Sequence, residues 1–114
     1  MIIENNLLEY DIIKTFMEKY KFPKELKINL VITSDMDKEY EKHLKKHNKE
    51  YDYISVLDYN GITCIPNTIN EETTLLINYD RVEEINNNNY EVICTIFHEL
   101  IHAKDYYIRF PYHL

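Results

Sequence analysis

Glycine is almost missing from this chain. Gly61 is the only one in 114 residues, beside three prolines and no tryptophan. Two cysteines, Cys64 and Cys94, are too few and too scattered for a disulfide framework. A reduced, intracellular protein is therefore expected, with the cytoplasm as its compartment. Basic residues are also scarce: 13 Lys and Arg stand against 20 Asp and Glu, for a formal net charge of −7. Non-specific nucleic-acid binding needs a basic footprint and is excluded on that ground. No apolar run approaches the roughly 18–20 residues of a membrane span. Met1-Ile2-Ile3-Glu4-Asn5 has neither the basic region nor the long apolar core of a signal peptide, so none is expected. What is present suits a packed globule. Apolar residues make up 45 % of the chain and aromatics 13 %, enough for one domain over residues 1–114 with a modest core. Neither an internal repeat nor a linker divides it.

Apolar spacing gives the order of elements. Leu8, Ile12, Phe16 and Tyr20 recur every four residues, widened by Leu7, Ile13 and Met17, which predicts a helix over about 4–20. Pro23 disfavours helix at Phe22 and ends it. Residues 26–33 alternate and then turn continuously apolar, as an inner strand does. Ser34-Asp35-Met36-Asp37 can cap a second helix running to about His47, with Tyr40 and Leu44 as its thin apolar side. Residues 51–57 and 62–65 read as strands joined through Asn60-Gly61, a strong hairpin signal. Residues 73–79 read as a further strand and 82–85 as a short helical attempt. Asn88 with Glu91 can cap a last helix from about Asn89 to Arg109, stopped by Pro111. The expected fold class is α+β: a small mixed sheet of about four strands packed on two or three helices.

The chemistry concentrates on that last helix, in Phe97-His98-Glu99-Leu100-Ile101-His102-Ala103. Histidines four apart lie one helical turn from each other, so both imidazoles can converge on one Zn²⁺. Glu99 stands beside them, where a carboxylate can take a proton from water. At about 100° per residue, His98, His102 and Asp105 fall within about 60° of one another. Ile93, Ile96, Leu100, Ala103 and Tyr107 gather on the opposite side, which marks a buried apolar face distinct from the polar stripe. His43 and His47 are also four apart, but Leu44, Lys45 and Lys46 lie between them and two lysines repel a cation. That pair reads as a solvated helix face.

The segment His98 to His102 resembles the active-site helix of the zincin metallopeptidases, with the uncharged neighbours Phe97, Leu100, Ile101 and Ala103 that this superfamily prefers. The run His98-Glu99-Leu100-Ile101-His102-Ala103, followed by Asp105, is similar to the mitochondrial inner-membrane peptidase family that processes an ATP-synthase subunit. It is also similar to small bacterial and phage zincins of the ImmA/IrrE kind. The match covers about ten residues. It implies a minimal zincin-like domain, a Zn²⁺ cofactor held by His98 and His102, Glu99 as general base, and hydrolysis of a protein or peptide substrate.

Zincin chemistry takes three protein ligands and one open position. Asp105 and His113 rank equally as the third ligand, ahead of Asp58 or Asp80 in loops that could fold over the site. Asp105 also suits a supporting role behind His102, and Arg109 one turn further on suits a local ion pair with it. The metzincin pattern, with a glycine turn after the second histidine, is absent: position 105 is Asp and position 108 is Ile. In gluzincin and ImmA/IrrE patterns an acidic ligand comes from a later helix, and only twelve residues follow His102. A minimal chain lacking a third ligand is a further option. Cys94, one turn before His98, reads as a small semi-buried residue rather than a ligand. Tyr106, Tyr107 and Tyr112 read mainly as packing, with one of them a possible donor to an oxyanion. A peptide would add along a strand edge, either at 62–65 or at 75–79. The competing reading is a zincin-fold binding or inhibitor protein, catalytically weak or inactive, whose acidic surface meets a basic protein partner.

Overall fold

A computed structural model describes residues 10–47, 55–81 and 89–109. The elements are α1 (Tyr10–Lys19), β1 (Ile28–Thr33), α2 (Met36–Lys46), β2 (Gly61–Cys64), β3 (Thr73–Asn78) and α3 (Asn89–Arg109). The chain is α+β, with one mixed sheet in the order β1-β3-β2. β1 runs parallel to β3, Ile28 opposite Thr73 and Thr33 opposite Asn78. β2 runs antiparallel to β3, Gly61 opposite Ile77 and Cys64 opposite Thr74.

Two apolar layers follow from the period of two along each strand. On one face Ile28, Leu30 and Ile32 of β1 and Leu75 and Ile77 of β3 meet Ile13 and Met17 of α1 and Val92, Ile96, Leu100 and Ala103 of α3. On the other, Leu76 and Cys64 pack with Met36 at the start of α2 and Val56 from the loop before β2. β3 is covered on both faces, which explains its unbroken apolar run and its six buried positions. Side chains such as Leu75, Ile77, Ile96 and Leu100 are all but fully buried, each worth about 1.5–3 kcal/mol on apolar burial. Phe16 of α1 stacks on Phe97 of α3 with ring centroids 4.1 Å apart. Lys104 of α3 reaches back to the Tyr20 carbonyl, so α3 is clamped against the end of α1.

β2 is held from both sides by α2. In the first turn of α2, Asp37 Oδ1 accepts the Val56 N–H at 2.7 Å and Oδ2 accepts the Ser55 hydroxyl at 3.1 Å. At the other end, His47 Nδ1 lies 3.0 Å from Glu71 Oε2, and Asn67 Nδ2 donates to the His47 carbonyl at 2.7 Å. Those partners lie in the connections that enter and leave β2. Asn78 completes the hold: its Nδ2 donates to the carbonyls of Leu57 (3.0 Å) and Tyr59 (3.2 Å), and its N–H to that of Asn60 (2.8 Å).

Several expectations change. Of the strand expected over 51–57, residues 51–54 lie outside the described residues, and Ser55, Val56 and Leu57 belong to a loop held by the Asp37 and Asn78 side chains; among the described residues β2 pairs with β3. The sheet has three strands among the described residues, and most of the fourth expected strand, residues 51–54, lies outside them. β3 is the central strand, so 75–79 is no sheet edge. Asp35 caps α2, its side chain accepting the Lys38 N–H, rather than Ser34. His43 and His47 are not a solvated face: both are buried, with rings 4.4 Å apart. The thin apolar side of α2 is widened by these two rings, and the flanking Lys45 and Lys46 point to solvent. The helical attempt at 82–85 and the Asn88 cap lie outside the described residues.

The end of α1 offers a direct check. Lys21 has φ = 53°, in the left-handed region that costs a residue with a Cβ about 1–2 kcal/mol. The Phe22 N–H bonds to the Met17 carbonyl and that of Lys21 to the Glu18 carbonyl, a Schellman turn that glycine usually closes. Lys21→Gly is therefore expected to raise stability by about 0.5–1 kcal/mol in urea unfolding; a loss of stability would show that the turn is not formed this way.

Candidate active site

α3 lies across the sheet with one face buried and one open. Val92, Ile96, Leu100 and Ala103 are each at most 1 % exposed, which seats the helix on β1 and β3. His98 and His102 stand on the open side, as the helical spacing requires. Their rings converge: Nε2 to Nε2 is 3.1 Å, with ring centroids 4.6 Å apart. Two imidazole nitrogens at about 2.0–2.1 Å from one tetrahedral zinc stand about 3.3 Å apart, so this separation fits a shared metal. It also fits an N–H···N bond between neutral rings. A metal held here would have two of its donors on α3. Among the described residues no group of three His, Cys, Asp or Glu side chains could hold a metal ion.

Glu99 takes a different direction. It is only 6 % exposed and points into the contact between α3 and β2. Its Oε1 accepts the Thr63 hydroxyl at 2.8 Å, while Oε2 lies 3.9 Å from His98 Nε2. A buried carboxylate is costly, and a donated hydrogen bond offsets part of that cost. The close approach depends on Gly61. A Cβ there would stand 2.9 Å from Thr95 Cγ2, 3.0 Å from Glu99 Cγ and 3.3 Å from Glu99 Oε2.

The Glu99 side chain separates two hollows along β2. One, of ≈ 370 Å³, is lined by Asn60, Gly61, Cys94, Thr95, His98 and Glu99. The other, of ≈ 360 Å³, is lined by Thr63, Ile65, Glu99, His102, Asp105 and Tyr106. Asp105 thus shares a hollow with His102, and its Oδ1 also meets Arg109 Nε at 3.0 Å, the i, i+4 pair the spacing implies. Asp58 and Asp80 line neither hollow. Cys94 is exposed rather than semi-buried, because its position on α3 falls on the open side. Tyr107 packs against the core, whereas Tyr106 faces the His102 hollow, and burial raises its phenol pKa above the ordinary value. His113 and Tyr112 lie outside the described residues.

Thr63 and the steric role of Gly61 were not legible in the sequence. Alternation puts residues 61 and 63 on one face of β2, but nothing in the spacing says that this face meets Glu99. Compared with known proteins, the chain matches no family model, no curated protein and no solved structure.

The Gly61 contact yields a second check. Gly61→Ala is expected to cost about 1–3 kcal/mol in urea unfolding, the range for overpacking a filled site. Unchanged or raised stability would mean that β2 does not approach α3 this closely.

Proposed function

We propose that the chain is a zinc-dependent endopeptidase. The observation that carries this reading is the convergence of His98 and His102 to 3.1 Å with the Glu99 carboxylate 3.9 Å from His98. A donor pair and a base in that relation are two of the parts that metal-assisted hydrolysis of a peptide needs, a third ligand being the other. His98 and His102, together with a third group, would hold Zn²⁺, which would supply the Lewis acid that makes water nucleophilic near neutral pH. Glu99 takes the proton of the attacking water and passes it to the leaving amine. Its burial between α3 and β2 keeps bulk water from competing for that proton. Asp105 or His113 is the proposed third group. Asp105 lies in the hollow beside His102, and there it either joins the metal or supports the imidazole from behind.

The peptide lies alongside β2, the marginal strand of the described sheet, with side chains on either side of the scissile bond entering the two hollows that Glu99 separates. Tyr106 faces one of them and is the tyrosine placed to donate to the oxyanion.

Glu99→Gln tests the reading. With zinc added and fluorescein-labelled casein as substrate, the variant is expected to lose about 10²–10⁴-fold in hydrolysis while binding zinc as the wild type does. Because it removes a buried charge, it should melt no lower than the wild type. Hydrolysis at the wild-type rate would rule out Glu99 as the base. A companion variant, Tyr106→Phe, should lower kcat by about 10–10²-fold with little change in KM; equal kcat would return Tyr106 to packing alone.

A further inference from the structure

We propose that Thr63 is the positioning residue for Glu99: it holds one carboxylate oxygen on β2 so that the other faces the histidines. The proposal rests on the peptidase reading for its purpose, though the contact itself is independent of it. Thr63 has one hydroxyl proton and two acceptors in reach, Glu99 Oε1 at 2.8 Å and the Glu99 carbonyl at 3.1 Å. The carboxylate is the nearer and carries charge, so the proton goes there. That assigns the two oxygens separate work. Oε1 is tied to the strand. Oε2 is on the side of His98, 3.9 Å from Nε2.

A tether is needed because a glutamate's last torsion is broad and its side chain has several rotamers. α3 alone fixes only the Glu99 Cα. Thr63 suits the task because its hydroxyl stands on a strand anchored at both ends through α2 and Asn78. Gly61 supplies the second half of the arrangement by letting the strand come near enough for a 2.8 Å bond. The strand that borders the peptide therefore also aims the base.

The test compares wild type, Thr63→Val and Thr63→Ser in the full-length chain. Three-bond scalar couplings of the Glu99 side chain, measured by NMR without metal, report whether it keeps one rotamer. Hydrolysis of labelled casein with added zinc is measured beside them. Wild type and Thr63→Ser are expected to hold one rotamer, and Thr63→Val to average over several. With the valine variant kcat should fall about 10²-fold at unchanged KM, with serine restoring it, as a small misplacement of a reacting group does. If the valine variant does not fold, Thr63→Ala gives the same comparison. A single, unaltered Glu99 rotamer in the variant lacking the hydroxyl overturns the proposal. Absence of cleavage by the wild type overturns the peptidase reading and leaves the couplings to decide what Thr63 does.

Discussion

The close contact between β2 and α3 is the constraint on which the site depends. Gly61 has no side chain to hold the two apart, so the strand approaches until Thr63 bonds the Glu99 carboxylate. Without that contact Glu99 would be one more exposed acid on a chain that already carries an excess of them. With it, the carboxylate is buried and directed beside two converging imidazoles. Much of the surrounding structure serves the same end. α2 grips the connection before β2 through Asp37 and the one after it through His47, and Asn78 ties down the intervening carbonyls.

His47 shows how a residue's meaning depends on what lies across from it. From its neighbours alone it stands on a lysine-rich, solvated helix. In the fold its ring is buried and its Nδ1 meets Glu71, so it anchors the turn that leads into β3. The two histidine pairs of the chain, both spaced by four, thus differ in setting. His43 and His47 are buried under the sheet's second face, whereas His98 and His102 stand open on α3 with a carboxylate beside them.

Local signals were the most readable. α3 has the bounds, Asn89 to Arg109, that the cap signal of Asn88 with Glu91 and the stop at Pro111 indicate, and its buried face is the one that Ile96, Leu100 and Ala103 mark out. β1 lies within the 26–33 strand, but as an outer strand of the described sheet with alternating burial; the inner strand is β3, which the sequence offered as an edge. Strand pairing was less readable, since it is a non-local choice. The Asn60-Gly61 pair looks like a hairpin turn, yet Gly61 opens β2 and its hydrogen-bonding neighbour is β3. The motif itself gave His98, Glu99 and His102 directly, because four-residue spacing fixes direction on a helix. It did not give Thr63, whose part depends on which strand lies over Glu99, nor Asn78, whose side chain joins segments about twenty residues apart.

The central claim is that His98 and His102 converge for a metal rather than for a shared proton. Elemental analysis of the purified full-length chain, prepared without added zinc and beside His98→Ala, tests it most directly. The account predicts about one zinc per chain in the wild type and almost none in the variant, with circular dichroism showing both folded. A folded wild type that carries no zinc and takes up none on titration would contradict it, and the histidine pair would then be a hydrogen-bonded surface feature on a protein whose work is binding.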